Sequence, residues 1–489
     1  MQGSSNFEIS RSNSLPLQQC PDFEWQQRAP GDLRQDFLAG EKLHSVRITR
    51  TMKTNRVTRR EFLRAAVGAA ALSRMSVAQS QRPNVLFILA DDLGYGDLSC
   101  YGRPDYKTPV LDNLARQGMK FTDNYAGAPV CTPTRTAYIT GRYPHRLEVG
   151  LEEPLGDANM QLGIPPEHPT IGTQVKAAGY ETALIGKWHL GNLPDFGPNR
   201  HVFDEFFGIN GSAADYFTHH NNAGRFDLFE NLEPSKEEGY LTDLFSERAI
   251  RFIMQKRSRP FFLSLQYNAP HWPWEGPNDK TIDHDHRPMA DGGNLATYGE
   301  MVKSMDAGIG RVLNALVSAK LERNTIVIFT SDNGGERYSF NWPFSFQKLN
   351  LWEGGIRVPA IVRWPGVVPP GKITAQAATT MDWTATIVAL AGGKPDPQYP
   401  LEGENLMPIL TGAQPPHDRT LFWRIRIQDA ARMGKWKYLR EGTNEHLFDL
   451  SIDPGEKAEL KRKYPDVFEK IRTEYQKWNA QMLPNPRRA

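Results

Sequence analysis

The chain has 489 residues and a formal net charge of +2, and 39% of its residues are hydrophobic and 10% aromatic. This composition excludes a disordered chain and predicts a globular protein, and the length suits one large domain with a smaller one, or two or three domains of average size. Because the net charge is close to zero, neither nucleic acid nor a membrane surface is expected as a partner. The three cysteines, Cys20, Cys100 and Cys131, are too few for a disulfide network.

Residues 52–78 have the order of parts of a twin-arginine export signal. Arg59 and Arg60 precede an apolar run over 65–73, and the small residues 76–78 form a cleavage site. The run is too short to cross a bilayer, so no stable membrane span is expected. An amphipathic surface helix is the alternative, but Ala and Gly dominate the run. We expect the twin-arginine machinery to export the folded protein to the periplasm or out of the cell.

An export signal stands at the start of a chain, yet residues 1–51 precede this one. Met52 is a natural start position, so we interpret residues 1–51 as a non-native or disordered extension. The mature chain is expected to begin near Gln79.

From Arg82 onward, buried strands are predicted to alternate with amphipathic helices, which is typical of α/β proteins. The predicted strands lie in the runs "NVLFILADD", "ETALIGKWH", "RPFFLSLQYNAPH" and "NTIVIFTSDNGG". Because these runs are almost continuously apolar, they indicate a large mixed, mostly parallel sheet with helices on both faces.

The pattern changes after the Pro-rich stretch near Gln414. Half-exposed antiparallel strands and a terminal amphipathic helix follow, in "RTLFWRIRIQ", "WKYLREG" and "YPDVFEKIRTEYQKWNAQM". We therefore predict a main α/β domain over 82–415 and a small C-terminal α+β subdomain over 416–489.

The stretch "APVCTPTRTAYITGRYP" predicts a helix that begins beside a cysteine. Thr132 is the expected cap, Pro133 the first helical residue and Gly141 the end. A cysteine at a helix N-terminus, such as Cys131, can have a lowered thiol pKa and act as a nucleophile. It can equally be a small buried residue, and residue chemistry alone leaves both interpretations open.

Carboxylates and an amide follow two of the predicted strands. The first strand ends in Asp91 and Asp92, with Asp97 close behind, and "TIVIFTSDNGG" ends in Asp332 and Asn333. In α/β sheets, ligands bind outside the carboxyl ends of the strands. Four oxygen donors at two strand ends predict a cation that offsets their repulsion, and oxygen ligands favour Ca²⁺ or Mg²⁺. Asp97 is equally well explained as a turn residue.

Basic side chains follow other strand ends. Lys187 and His189 are two residues apart, so they point to the same face, and His271 follows the third strand. Lys348 precedes "LWEGGIRVP", and Arg135 lies one helical turn beyond Cys131. Taken singly, each is more often a solvated or hydrogen-bonded residue, but together with a cation they predict a site for a tetrahedral oxyanion.

These motifs resemble those of type I sulfatases, which are formylglycine-dependent, arylsulfatase-like members of the alkaline phosphatase-like superfamily. The run from Cys131 to Arg135, with Thr140-Gly141, resembles their modification signature, and Gly179–His189 resembles their second signature. Further blocks match at Asp91-Asp92, 269–273, 331–335 and 348–359. The resemblance extends from Arg82 to the C-terminus and implies the alkaline phosphatase-like fold.

The resemblance implies that a formylglycine-generating enzyme oxidises Cys131 to Cα-formylglycine. One hydroxyl of its hydrate then attacks the sulfur of a sulfate ester and releases the alcohol, and the second helps to expel sulfate. The resemblance also implies Ca²⁺, with Mg²⁺ as the alternative, on the ligands Asp91, Asp92, Asp332 and Asn333.

The same resemblance implies roles for the basic residues. Arg135 and Lys187 hold the hydrate, and His189 acts as the base when the sulfated intermediate collapses. Lys348 and His271 bind sulfate and protonate the leaving oxygen. Because charge builds on the bridging oxygen during transfer, an acid at that point lowers the barrier.

Three functions therefore compete. The first is a secreted sulfatase for an aryl or carbohydrate sulfate ester, with Ser212 and Asp215 in the loop Gly208–His220 as candidate substrate contacts. The second is a phosphonate monoester hydrolase or phosphodiesterase on the same scaffold. The third is a non-catalytic glycan-binding relative, against which the intact ligand and cysteine positions argue.

Overall fold

The computed structural model describes residues 82–157, 159–279 and 288–486. The predicted extension over 1–51 and the predicted export signal over 52–78 lie outside these residues. Within the described ranges, no helix combines the length and the apolar character that a bilayer span requires.

A ten-stranded mixed sheet forms the centre of the molecule. Its strands stand in the order β11-β2-β10-β9-β1-β8-β4-β5-β6-β7. Their bounds are β1 Asn84–Ala90, β2 Met119–Phe121, β4 Glu181–Gly186, β5 Glu205–Gly208, β6 Phe229–Glu230, β7 Glu233–Pro234, β8 Phe261–Gln266, β9 Thr325–Ser331, β10 Ala360–Arg363 and β11 Lys372–Thr374. The five central strands, from β9 to β5, are parallel. The predicted mixed, mostly parallel sheet is thus confirmed.

Helices cover both faces of this sheet, and their bounds are α1 Pro109–Arg116, α2 Cys131–Thr140, α3 Ile171–Ala177, α4 Leu241–Met254, α5 Leu295–Ser318, α6 Glu353–Ile356, α7 Thr380–Ala391, α8 Met407–Leu410 and α9 Pro465–Asn479. Short 3-10 turns lie at Ser99–Tyr101, Pro144–Arg146, Glu148–Leu151, Pro198–His201 and Glu322–Asn324. Helices α1, α4 and α5 pack on one face, and α2, α3 and α7 on the other.

Burial on both faces explains why the central strands read as continuous apolar runs. Every residue of β1 and of β9 is buried. Successive side chains alternate between the faces, so Leu86 and Ile88 enter one hydrophobic core while Val85 and Phe87 enter the other.

The C-terminal part forms a separate antiparallel sheet with strands in sequence order, as predicted. Its strands are β13 Thr420–Ile425, β14 Gln428–Met433, β15 Trp436–Glu441 and β16 Asn444–Asp449, and the two-stranded pair β3 Asn124–Tyr125 with β12 Ala378–Thr379 lies apart. Phe468 and Ile471 of α9 pack against this sheet. Its other hydrophobic cluster contains Leu351 and Ile356 of the main domain.

The predicted start of α2 is wrong by two residues. Cys131 is itself the first helical residue, and the extended Val130 occupies the cap position. Thr132 is the second residue of the helix and so cannot occupy its cap position; its hydroxyl accepts a hydrogen bond from the backbone N–H of Leu155 at 3.0 Å. Pro133 is consequently the third helical residue, where its missing N–H is still harmless. The predicted end is confirmed, because Gly141 caps the helix with a left-handed φ of 68°.

Candidate active site

The register of the parallel strands brings the predicted site residues to one edge of the sheet. Ala90 of β1 lies opposite Ser331 of β9, so Asp91 and Asp332 follow at the same level. Gln266 of β8 lies opposite Gly186 of β4, which places Lys187 directly beyond the same edge. Helix α2 begins at this edge, and its Cys131 Sγ lies 3.5 Å from Asp91 Oδ1.

Cys131 is buried, and its environment suppresses ionisation. Burial raises the pKa of the Cys131 thiol well above its usual value, although Lys187 opposes the shift. The buried surroundings of Cys131 therefore favour the neutral thiol over the thiolate that a helix N-terminus can stabilise. Desolvation of the sulfur outweighs the favourable amides of the first helical turn.

Three buried ion pairs surround the sulfur. Lys187 Nζ lies 2.5 Å from Asp91 Oδ2, Arg135 Nη2 lies 2.9 Å from Asp332 Oδ2, and Lys348 Nζ lies 2.6 Å from Asp92 Oδ2. Three cations therefore balance three carboxylates. Repulsion between the carboxylates, which was the reason for predicting a cation, is reduced by these pairs but persists at Asp332, whose pKa Asp91 and Asp92 help to raise.

The carboxylate oxygens at this point nevertheless suit a hard cation. Ligand atoms of Asp91, Asp92, Cys131 and His271 lie within 4.8 Å of one another. Asn333 adjoins this group, because its Nδ2 donates to Asp92 Oδ1 at 2.7 Å, and its buried Oδ1 has no hydrogen-bond partner. A buried amide oxygen without a donor is the kind of group that a bound cation satisfies.

Asp332 is tied to the same group through the backbone. Its Oδ1 accepts the N–H of Asp92 at 3.1 Å, while burial and the charge of Asp91 raise its pKa. Asp92 has a left-handed φ of 60°, a conformation that non-glycine residues adopt at a cost. The chain thus accepts backbone strain where it turns the two aspartates toward the β9 end.

The hydrogen bonds of His271 define its tautomer. Its Nδ1 lies 2.7 Å from the carbonyl oxygen of Trp272, so Nδ1 carries the proton, and Nε2 accepts from Lys348 Nζ at 3.2 Å. Burial, reinforced by Lys348, lowers the pKa of His271 to about 4. Burial alone would lower the pKa of Lys348, but Asp92 outweighs it and raises that pKa. Lys348 is therefore the proton carrier of this pair.

His189 presents the opposite arrangement, with a free nitrogen. Its Nε2 donates to the carbonyl oxygen of Leu155 at 2.9 Å, and its buried Nδ1 has no hydrogen-bond partner. Burial and Lys187 lower its pKa well below the usual value. With a left-handed φ of 61°, His189 is the second strained residue of the site.

Arg135 is held by partners that the sequence did not single out. Its Nη1 donates to Gln266 Oε1 at 2.8 Å and to the carbonyl oxygen of Lys187 at 3.0 Å. Gln266 is the last residue of β8. A polar residue that ends an apolar strand at the sheet edge was the signal for it.

A cavity of about 680 Å³ opens above these groups. Cys131, His189, His271 and Lys348 line it, and its other walls include Asp157, Ser212, Asn222, Trp272, Glu336 and Gln347. Glu336 was missed, although it stands three residues after Asn333, and its Oε2 lies 3.5 Å from Lys348 Nζ. The site residues predicted from separate motifs thus line or adjoin a single cavity.

The structure gives different surroundings to Ser212 and Asp215, the two residues that were predicted as substrate contacts. Ser212 lines the cavity, and its hydroxyl donates to Asp157 Oδ2 at 2.9 Å. Asp215 is buried, and its Oδ1 accepts the backbone N–H groups of Phe217 and Thr218 at 2.8 and 2.6 Å. Asp215 therefore shapes the loop.

Asp97 is a structural residue as well. Arg103, Tyr298 and Ser339 donate to its carboxylate at 2.6, 2.6 and 2.7 Å, and the backbone N–H of Phe340 donates at 2.8 Å. Through these hydrogen bonds the carboxylate of Asp97 connects the loop after β9 to α5. Of the two interpretations that the sequence left open, cation ligand and structural residue, the structure supports the second.

Comparison with known proteins identifies the family to which this chain belongs. The sulfatase family model matches residues 83–393, which is more than half of the chain. The chain belongs to the sulfatase family. Its resemblance to type I sulfatases is confirmed, and the protein is an enzyme that hydrolyses sulfuric esters.

Curated sulfatases match over most of their length. The N-acetylgalactosamine-6-sulfatase of Sus scrofa is 32% identical, over 83% of this chain and 87% of its own. The steryl-sulfatase of Mus musculus is 34% identical, over 68% of this chain and 65% of its own.

Solved structures of sulfatases have the same fold. The structure of Ps i-CgsB is 32% identical with a TM-score of 0.75, and the match covers 83% of this chain and 94% of that one. Its complex with k-i-k-neocarrahexaose gives a TM-score of 0.74 over the same shares.

Proposed function

We propose that this sulfatase hydrolyses sulfate monoesters of carbohydrate or aryl alcohols, with Cα-formylglycine at position 131 and a divalent cation, Ca²⁺ or Mg²⁺. The observation that carries the proposal is the position of Cys131. It is the first residue of α2, it touches Asp91, and it lines a cavity into which Lys348 and two neutral histidines also face.

A hydrated formylglycine at position 131 supplies the hydroxyl that attacks the ester sulfur. The chain's own groups prepare its surroundings. Helix α2 directs its N-terminal amides at this position, where they favour an anionic ester. His189 takes up a proton on Nδ1, the nitrogen without a partner, because Leu155 holds the proton of Nε2. Arg135 and Lys187 orient the group at position 131.

Lys348 is the proposed proton donor to the leaving alcohol. Its ammonium is held between Asp92 Oδ2 and the Nε2 lone pair of His271, at 2.6 and 3.2 Å. Since Nδ1 of His271 is bound to the carbonyl of Trp272, His271 positions Lys348 and itself has no proton on Nε2. General acid catalysis of this kind contributes about 10²- to 10⁴-fold.

Asp91, Asp92, Asp332 and Asn333 are the proposed ligands of the cation. A bound cation supplies Lewis acidity toward the sulfate oxygens. The unpartnered Oδ1 of Asn333 supports this assignment, because a cation gives that oxygen a partner. Oxygen ligands favour Ca²⁺ or Mg²⁺ over zinc.

Among the alcohols, we propose a carbohydrate over a simple phenol. The walls of the cavity combine the amide groups of Asn222 and Gln347 with the apolar face of Trp272, and this mixture suits a sugar ring, which has hydroxyl groups and an apolar face. The names of two relatives point the same way, because one acts on N-acetylgalactosamine-6-sulfate and another was solved with a neocarrahexaose. A sulfated galactan is therefore the first polymer to test.

The ratio of kcat/KM for the sulfate and phosphate esters of one phenol tests the reaction class. We expect the sulfate ester to be preferred by about tenfold or more, because each buried cation of the site is already paired with a carboxylate and little excess positive charge is left for a doubly charged phosphate ester. A preference for phosphate or phosphonate esters would favour the second hypothesis. Failure of the purified, modified protein to turn over any ester would favour the glycan-binding relative.

We also propose maturation in two steps. A formylglycine-generating enzyme modifies Cys131 first, and the twin-arginine machinery then exports the folded protein to the periplasm or beyond, with 82–415 as catalytic domain and 416–489 as subdomain. Replacing Arg59 and Arg60 by Lys should trap the uncleaved precursor in the cytoplasm, whereas the wild-type protein should begin near Gln79. Wild-type-like processing of the double variant would contradict this route.

A further inference from the structure

A buried carboxylate outside the cavity lining holds the chain segment that follows β5. Asp227 is only 3% exposed, and its Oδ1 and Oδ2 accept the backbone N–H groups of Asn210 and Gly211 at 3.0 and 2.8 Å. The N–H of Asp227 itself donates to the carbonyl oxygen of His219 at 2.7 Å. Asp227 is therefore fixed through its backbone, and its carboxylate in turn fixes two consecutive N–H groups.

The peptide unit between Asn210 and Gly211 bonds on its other side to His189. The carbonyl oxygen of Asn210 accepts the N–H of His189 at 3.1 Å, and that of Ile209 accepts the N–H of Trp188 at 2.9 Å. A trans peptide unit is planar, so its N–H and its C=O point in opposite directions. By holding the N–H of Gly211, Asp227 therefore sets the direction of the carbonyl group that holds His189.

His189 depends on this support because its backbone has a left-handed φ of 61°, which costs a non-glycine residue free energy. Its ring is held separately, since Nε2 donates to the carbonyl oxygen of Leu155 at 2.9 Å. Backbone and ring are thus held by two different segments. The direction of Nδ1, which has no hydrogen-bond partner among the described residues, depends on both of them.

A second carboxylate holds the next residue of the same segment. Asp157 Oδ1 accepts the N–H of Ser212 at 2.6 Å, and Asp157 Oδ2 accepts its hydroxyl at 2.9 Å. Asp157, Ser212 and His189 all line the active-site cavity. A Cβ atom at Gly211 would lie 2.8 Å from an oxygen of each carboxylate, so a side chain there would press on both. We call Asp157 and Asp227 the carboxylate clamp.

The charge of Asp227 is costly in this place. Burial raises its pKa to about 7, the N–H groups of Gly211 and Asn210 oppose the shift, Asp157 adds to it, and Arg225 opposes it. Asp227 is therefore mostly ionised at pH 8, where both of its oxygens are full acceptors. Assays of the clamp belong at that pH.

We propose that Asp227 is a positioning residue of the sulfatase reaction, which, together with Asp157, holds the peptide unit 210–211 and through it sets the direction of His189. This inference rests on the proposed function, in which His189 accepts a proton on Nδ1. That proton comes from the second hydroxyl at position 131, as sulfate leaves with the electron pair of its C–O bond and the aldehyde re-forms. A displaced Nδ1 slows this step and leaves the earlier release of the alcohol unchanged.

Hydrogen exchange of the mature protein tests the structural link without any turnover. In Asp227→Asn, the N–H groups of residues 188 and 189 should exchange about tenfold faster, because the clamp loses one acceptor. Asp306→Asn is the matched control, since Asp306 is also a buried carboxylate and accepts the N–H groups of Val110 and Leu111 at 3.0 and 2.8 Å. It should speed exchange at 110 and 111 alone. Equal exchange at 188 and 189 in the two variants would overturn the inference.

Kinetics with 4-nitrophenyl sulfate at pH 8 test the consequence for the reaction. In Asp227→Asn, kcat and KM should fall together by about tenfold, so that kcat/KM is retained, and a burst of one 4-nitrophenol per active site should precede the steady state. Loss of folded enzyme would instead lower kcat and kcat/KM in parallel. Asp306→Asn should retain both constants and show no larger burst than the unaltered enzyme.

Gly211→Ala reaches the clamp without altering either carboxylate, so it replaces Asp227→Asn if that variant does not fold. We expect the same burst and the same retained kcat/KM. A parallel loss of kcat and kcat/KM in the folded variant would overturn the inference. Absence of turnover by the unaltered enzyme that contains formylglycine would instead overturn the proposed function, and hydrogen exchange would still decide whether the clamp holds His189.

Discussion

Two buried clusters of charge in this molecule have the same composition and different surroundings. The site cluster contains three carboxylates and three cations, namely Asp91, Asp92, Asp332, Arg135, Lys187 and Lys348. The interface cluster also contains three of each, namely Asp123, Glu353, Glu456, Arg357, Arg432 and Lys437. Charge count therefore does not distinguish them.

The interface cluster joins the residues around β3 and α6 to the C-terminal antiparallel sheet. Glu353, at the start of α6, accepts from Tyr125 Oη at 2.6 Å, from Lys437 Nζ at 3.0 Å and from Arg357 Nη1 at 3.1 Å. Lys437 also lies 2.7 Å from Glu456 Oε1. Burial would raise the pKa of Glu353, but Lys437 and Arg357 outweigh it and lower that pKa to about 2.

The site cluster differs in having one side open to the cavity. It adjoins the cavity, and Asn333 Oδ1 and His189 Nδ1 beside it have no hydrogen-bond partner. The comparison teaches that a reactive site is marked by acceptors left open next to a cavity. A balanced set of charges that is buried on all sides instead has a structural role, because it holds two parts of the protein together.

Cys131→Ala is expected to produce the largest effect on activity. It should lower kcat/KM by about 10⁴-fold or more, because it removes the precursor of the nucleophile. Cys131→Ser should do the same unless the host oxidises serine. Cys100→Ala, at a half-buried cysteine outside the cavity lining, should retain activity. Near-native turnover of sulfate esters by Cys131→Ala would contradict the account.

Asn333→Ala tests whether the site cluster, unlike the interface cluster, binds a divalent cation. It should lower kcat/KM by roughly 10- to 100-fold, and it should reduce the rise of Tm that Ca²⁺ or Mg²⁺ gives to the unaltered protein. Thermal unfolding with and without the cation checks this independently of activity. Asn113→Ala in α1 is the control. An unchanged cation-dependent Tm shift in Asn333→Ala would remove Asn333 from the ligand set.

Lys437→Met should reveal the interface cluster as structural. Removing this buried cation leaves Glu456 without its cation and Glu353 with Arg357 as its remaining cation, so the free energy of unfolding should fall by about 3 to 5 kcal/mol. Lys435→Met is the matched control on the same sheet. Its half-exposed pair with Asp449 is expected to contribute less than about 1 kcal/mol. Equal denaturation midpoints for the two variants would show that Lys437 has no special weight.

Asp306 is expected to produce the smallest effect, a change of stability with pH. Unlike the carboxylates of the two clusters, it is buried without a neighbouring cation among the described residues. It accepts the backbone N–H groups of Val110 and Leu111 at 3.0 and 2.8 Å, and burial raises its pKa to about 6. Since the folded pKa exceeds the unfolded one, its contribution to stability falls as the pH rises through about 4 to about 6.

Asp306→Asn cannot ionise and lacks this dependence. The stability difference between the variant and the wild type should therefore shift in favour of the variant by about 1 to 2 kcal/mol over that pH range. Denaturant unfolding at several pH values measures it, with Asp195→Asn at an exposed position as control. A difference that stays flat with pH would refute the assignment to Asp306.

The sequence predicted the sheet because buried parallel strands read as continuous apolar runs, and it predicted the sheet edge because polar residues end those runs. Prediction from the sequence failed for features that depend on contacts between residues far apart in the chain. Thr132 is a good cap by type, yet the helix begins before it, and its hydroxyl bonds to the distant Leu155. The tautomer of His189 depends on the carbonyl group of Leu155, which is distant in sequence, and that of His271 on the carbonyl group of the next residue, Trp272. The joint between Glu353 and Lys437 links residues 84 positions apart and has no local signal.

Mass spectrometry of the peptide that contains Cys131 is the most direct test of the central claim. In active protein from a host with a formylglycine-generating enzyme, the account predicts an aldehyde in place of the thiol, at an occupancy that rises in proportion to specific activity. A fully active preparation with an unmodified Cys131 thiol would contradict it.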